Sequence, residues 1–201
     1  VRDAREHDVD VRAIDINHSA WDNMLEGAGG IALRLGFRQM DGFRENWGAA
    51  ILACRPFTSI EQLARDADIP KRGLQILADA DAFRSIGLDR RQALWEVRRM
   101  PSGALPLFEA AKARELAEEA DQPLPAMTPA EHVITDYQTT RLSLKGHPMQ
   151  FLRARFQAEG ILSCAEVAAA KNGSIIEVAG VVLIRQRPGK GNAIFITLED
   201  E

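Results

Sequence analysis

Met40-Asp41-Gly42-Phe43-Arg44 lies between an apolar run and a helical stripe, and Ser85-Ile86-Gly87-Leu88-Asp89-Arg90-Arg91 repeats that arrangement 45 positions on, counted from Gly42 to Gly87. Each stretch sets an apolar residue, a glycine, a second apolar residue and then a basic residue close to a predicted helix start. Such a turn directs unpaired backbone N–H groups at one point, and the helix dipole adds positive potential there. A phosphate suits that point. Glycine removes the Cβ that would hinder close approach. The candidate phosphate-contacting residues are therefore Gly42, Arg44, Gly87, Arg90 and Arg91. Arg84 joins them because residues 84–99 hold five arginines (Arg84, Arg90, Arg91, Arg98, Arg99) against Asp89 and Glu96. A plainer reading stands beside this one, since a glycine in a tight turn between helices needs no ligand.

Working outward, the pattern over residues 43–100 is helical. Trp47, Ala50, Ile51 and Cys54 recur at helical spacing until Arg55-Pro56 ends the stripe. Thr58-Ser59-Ile60-Glu61 predicts a capping box on Thr58. Pro70 fits the first turn of a helix carrying Leu74 and Leu77, and Asp89 fits the cap of a helix carrying Ala93, Leu94 and Val97. Upstream, Gly29-Gly30 separates residues 23–26 from 31–35, as in a small hairpin.

Downstream, Pro101, Pro106, Pro123 and Pro125 mark a linker with a short helical run. Within it Leu105, Leu107 and Phe108 form an apolar peptide suited to a partner's groove, or to packing on the chain's own helices. Thr128 and Ser163 each begin a capping box, and a helix is expected after Pro148. From Ser174 to Arg187 the texture becomes β-branched, a Pro-Gly-Lys-Gly-Asn turn follows, and Ala193 to Leu198 forms a return strand. Gly180 within the first strand suggests a bulge. Arg185, Arg187 and Lys190 near the turn, with Phe195 on the return strand, offer charge and a stacking face to single-stranded DNA. The competing reading is a solvated hairpin tip with Phe195 in the core.

Composition narrows the classes. Apolar residues make up 46% and charged residues 27% of 201, as in globular domains. No apolar run is long enough to span a membrane and the charged first residues do not resemble a signal peptide. Cys54 and Cys164 stand far apart, so thiols in a reducing cytoplasm are expected. The net charge of −4 excludes a generally basic DNA coat but not a local patch, because residues 109–136 alone hold seven acids and two bases. Asp79, Asp81 and the terminal Glu199-Asp200-Glu201 could be read as Mg²⁺ ligands, but capping and surface roles are expected of them. The four histidines lack metal-ligand spacing, and no nucleophile elbow or nucleotide-binding glycine motif is present. No catalytic residue, metal site or cofactor is expected within these residues.

The stretch from Ala32 to Gly42 resembles the start of the tandem helix-hairpin-helix region of DnaE-type bacterial DNA polymerases. Leu77 to Phe83, followed by Gly87 to Trp95, resembles its second half. Arg185 to Gly189 with Phe195 to Glu201 is similar to the opening of the OB-fold in the error-prone branch, the ImuC type, and Val11 to Asp22 looks like the segment leaving the fingers domain. The resemblance implies a C-terminal piece of a DNA-directed DNA polymerase used in damage-induced translesion synthesis. Its catalytic aspartates and their Mg²⁺ would lie upstream of Val1. Two departures stand out. Arg44 occupies the place of a second hairpin glycine, and Ala104 to Phe108 resembles a sliding-clamp peptide without its leading Gln. Clamp contact through an accessory mutasome protein is therefore expected rather than direct clamp binding.

The expected fold is mainly α with a small β part. Residues 1–35 would lead in from the fingers, 36–100 form the tandem helix-hairpin-helix, 101–147 the linker, and 148–201 the first part of an OB-fold. The expected function is sequence-independent DNA binding within an error-prone polymerase. A non-enzymatic scaffold for mutasome partners, or a stand-alone repair factor with the same folds, would use the same features.

Overall fold

The computed structural model describes residues 1–27, 31–100, 124–189 and 191–201. They are mainly helical with two small sheets. Two compact units result, one of residues 1–127 with 135–144 and one of 128–134 with 145–201.

In the first unit, α1 (Arg2–Glu6) precedes β1 (Asp10–Arg12), β2 (Met24–Glu26) and β3 (Ala32–Arg34). The central β3 pairs antiparallel with β2, as the hairpin expectation required, and parallel with β1. Glu26 accepts from Arg12 at 2.8 Å and Arg34 at 2.7 Å, stapling all three strands. The Arg34 hydrogen bond, joined by Arg12, holds the Glu26 carboxyl below its ordinary range.

A 3₁₀ turn at Phe37–Gln39 leads to α2 (Glu45–Cys54), α3 (Ile60–Asp66), α4 (Lys71–Asp79), a second 3₁₀ turn at Arg84–Ile86 and α5 (Arg90–Arg99). Their apolar stripes converge on Phe37, Ile51, Phe57, Ile60, Leu63, Leu74, Leu77, Phe83 and Val97, all fully buried. Removing one such leucine would cost about 2–5 kcal/mol. Residues 1–35 share this core through Ile14, Ile16 and Leu35 rather than forming a separate body. A buried polar knot adds to the join. Asp15 accepts from the amides of Asn17 at 2.8 Å and Ser85 at 3.0 Å, while Asn17 exchanges two hydrogen bonds with the backbone of Phe57. Buried polar groups satisfied in this way fix register, because leaving any one unpaired would be costly.

Local chemistry differs in detail from expectation at two places. The α3 cap is Ser59, whose hydroxyl accepts from the Gln62 amide at 3.1 Å, while Gln62 reaches back to the Thr58 amide. The box is shifted one residue because Ile60 must face the core. Pro70 precedes the first helical residue of α4 and acts as its N-cap. The expected boxes at Thr128 and Ser163 are both present.

Next along the chain is α6 (Pro129–Thr140), followed in the second unit by a 3₁₀ turn at Pro148–Phe151, α7 (Arg153–Ala158) and α8 (Cys164–Ala169). Arg153 ties this unit to the chain end through Asp200 at 3.1 Å and Glu201. The β part is a two-stranded antiparallel ribbon of β4 (Val181–Gln186) and β5 (Phe195–Glu199), with its pairing shifted between Val182 and Ile184. The strand expected from Ser174 thus begins only at Val181, and the irregularity follows Gly180 rather than falling on it. A Cβ on Gly180 would lie 2.9 Å from the Glu199 carbonyl oxygen, so this glycine permits a close approach of backbone. Phe195 does not enter a core and is 56% exposed. No helix among the described residues is long and apolar enough to cross a membrane.

Candidate nucleic-acid interface

The first glycine turn is open toward solvent. Met40 and Phe43 are buried and pin its two ends, while Asp41 and Gly42 are pushed outward. The Phe43 amide donates to the Met40 carbonyl at 3.2 Å, closing the turn, and Gly42 takes the left-handed conformation at φ 77. An L side chain there would cost about 1–2 kcal/mol. Directly after the turn, Arg44 is the N-cap of α2, extended and without a side-chain cap. Among the described residues the amides of Gly42, Arg44, Glu45 and Asn46 have no acceptor. Arg44 is exposed and its guanidinium lies 5.1 Å from the centroid of the Trp47 ring, which preorganises the charge beside those amides.

A second open turn lies where the sequence reading placed only a helix start. Asp66 ends α3, Asp68 is left-handed at φ 49, Ile69 is buried, and Pro70 leads into α4. Among the described residues the amides of Asp68, Ile69, Lys71 and Arg72 have no acceptor, and α4 has no side-chain cap. Gly73 lets this turn approach the first, because a Cβ there would lie 2.8 Å from Ile69 Cγ2 and 3.2 Å from the Trp47 ring. The exposed Arg72 extends from α4 toward the first turn. Its Nη2 stands 3.9 Å from the position a Cβ on Gly42 would occupy. Two uncapped helix starts and two arginines therefore share one patch. Neighbouring Lys71 is used elsewhere, donating to the carbonyls of Arg98 and Met100 at 3.0 and 2.7 Å at the negative end of α5.

The Gly87 turn is closed on itself, which corrects the second half of the sequence-derived site. The Gly87 amide donates to Arg84 O and the Leu88 amide to Phe83 O. Asp89 and Gln92 form a reciprocal capping box on α5. Gly87 is left-handed at φ 83 and a Cβ there would meet nothing within 4 Å, so it serves the turn alone. Arg84 is held by Asp81 at 2.8 Å. Arg90 is 0% exposed and paired with Asp136, so it cannot present charge to a phosphate. Arg91 is half-buried and donates to the Pro125 carbonyl. What misled the sequence reading was that glycine marks left-handed backbone in either kind of turn, while Asp68, which also tolerates that conformation, gave no such mark.

On the β4–β5 ribbon Arg185 is exposed beside Ile196, whereas Arg187 is tied into its own turn through Gly191 O at 2.8 Å and Asn192 at 3.1 Å. Lys190 and the peptide residues Leu105, Leu107 and Phe108 lie outside the described residues. No group of three or more His, Cys, Asp or Glu that could hold a metal ion occurs among the described residues.

Comparison with known proteins agrees with the mainly helical fold. The family model described as a helix-hairpin-helix motif matches residues 8–93. The chain is 54% identical to an error-prone DNA polymerase of Rhodopseudomonas palustris (strain BisA53), with 100% of the chain and 20% of that relative covered. It is 52% identical to one from Brucella abortus biovar 1 (strain 9-941), covering 100% of the chain and 19% of the relative. A third, from Bradyrhizobium sp. (strain ORS 278), is 44% identical over 100% of the chain and 24% of the relative. The resemblance drawn from the sequence is borne out, and the chain spans about a fifth of the length of the curated relatives it matches.

Proposed function

We propose that this chain is the DNA-gripping region of an error-prone DNA polymerase, holding duplex of any sequence by its phosphates. The observation that carries the reading is the pair of adjacent, uncapped turns at residues 40–44 and 67–70, with Arg44 and Arg72 beside them. Two such turns suit two phosphates, and contacts to phosphate carry no sequence information. Binding without base readout is what a polymerase needs in order to travel, and what translesion synthesis needs when the template base is damaged. Nucleotide transfer and its Mg²⁺ belong to the rest of the parent protein, working in the cytoplasm.

The test is a salt titration of the chain against random duplex. Each phosphate neutralised contributes about 0.9 to the log–log salt slope. A steep slope that is equal for unrelated sequences is expected. Absence of salt-dependent binding would reject the reading.

A second role is favoured by the ribbon. Val182, Leu183, Ile184, Ile194 and Ile196 are each about half exposed, together with Phe195. Apolar surface of this extent suits contact with a mutasome partner protein, and Arg185 beside it suits single-stranded template. Retention of a partner without any duplex binding would favour the scaffold reading over the DNA reading.

A further inference from the structure

Asp41 places a carboxylate at the tip of the first open turn, where a phosphate would be repelled. Arg141 answers it. Its Nε donates to Asp41 Oδ2 at 2.7 Å and its Nη2 lies 2.5 Å from the same oxygen. The backbone meets there too, with the Asp41 amide donating to the Thr139 carbonyl at 2.9 Å. All three residues belong to the first compact unit.

We propose that Arg141 is a positioning residue for DNA binding, which masks Asp41 and supplies a third cation to the phosphate patch. The inference rests on the DNA reading given above. Around the two turns Arg44 and Arg72 face Asp41, Glu45 and Asp68, so Arg141 offsets the remaining excess of carboxylate. Its side chain is 76% exposed, which leaves donors on the guanidinium directed at solvent. Its backbone points the same way. Arg141 closes α6 in the left-handed conformation at φ 62, a position where glycine would be unstrained. A long cationic side chain kept at a backbone position that disfavours it suggests a function carried by that side chain.

The position also supplies a clean experiment. Arg141→Gly relieves the backbone and removes the cation, so the fold should hold while duplex affinity falls. One lost phosphate contact should lower the log–log slope by about 0.9, which is roughly threefold in affinity between 50 and 200 mM salt. The loss should be larger still because Asp41 is unmasked. Arg141→Lys should restore most of the slope, and adding Asp41→Asn to Arg141→Gly should recover part of the affinity. If the unaltered chain binds duplex but Arg141→Gly binds with the same slope and affinity, the proposal is overturned. It is equally overturned if Arg141→Lys is as impaired as Arg141→Gly, since a charge role would tolerate lysine. Failure of the unaltered chain to bind duplex would instead reject the DNA reading beneath it, and this proposal with it.

Discussion

Arg90 of α5 and Asp136 of α6 form an ion pair in which the arginine side chain is wholly buried and the carboxylate nearly so, with Ser143 donating to the other Asp136 oxygen at 2.7 Å. This pair secures the segment that ends in Arg141. Residues 135–144 are thereby held against the helices of the first unit, and Arg141 reaches the Asp41 turn. Arg90 thus supports the proposed phosphate patch from within. Removing one partner of a buried pair strands the other charge, which costs about 3–5 kcal/mol. Arg90→Ala should lower stability by that amount in urea unfolding. Arg90→Met combined with Asp136→Leu should lose much less, and a double variant as unstable as Arg90→Ala would show that the pair is not the cause.

Gly42 and Gly87 share a left-handed conformation but not a role. Gly42→Ala and Gly87→Ala should each destabilise by about 1 kcal/mol. Only Gly42→Ala should also weaken duplex binding, because its methyl group would sit 3.8 Å from Ile76 Cδ1 and 3.9 Å from Arg72 Nη2, at the surface of the proposed patch. Equal loss of binding in both variants would restore the Gly87 turn to the interface.

Arg72 and Arg91 offer a second contrast. Arg72 is exposed and has no protein partner among the described residues, whereas Arg91 is engaged with the Pro125 carbonyl. Arg72→Ala should lower the log–log slope of duplex binding by about 0.9, and Arg91→Ala should lower it less. Fluorescence anisotropy across a salt series measures both.

Asp79 closes α4 at its negative end, and burial pushes its carboxyl above the ordinary aspartate value, with Arg90 and Arg98 opposing the shift. The folded state therefore binds this proton more tightly than the unfolded chain does. The associated stability is present below the ordinary aspartate value and is lost as pH rises through the elevated one. At neutral pH the ionised group is a cost, so Asp79→Asn should raise Tm at pH 7. The advantage should shrink as the pH falls toward 4, and an increase in acid would contradict the assignment.

Much of the local structure was legible in the residues. The Trp47-Ile51 stripe, the boxes at Thr128 and Ser163, the small hairpin and the open turn at Gly42 all depend on neighbours within a few positions. Such signals survive in a linear string because helix period, capping and left-handed backbone are local physics. The site was legible only in part. Of the proposed site, Gly42 and Arg44 could be named from the residues, while the 67–70 turn was hidden because aspartate rather than glycine carries its left-handed residue.

By itself, the sequence determined the helical class of residues 43–100, the glycine turn at Gly42, the change to β-branched chain near the end and the likeness to error-prone polymerases. Only the tertiary structure decided which arginines face solvent. Arg90 and Arg72 are both basic residues near a helix start, yet a carboxylate 46 positions away draws Arg90 inside. No carboxylate among the described residues pairs with Arg72 in that way, and it remains outside beside Gly42. A charge is stable wherever it is solvated or paired, and the pairing partner is chosen by packing rather than by sequence distance.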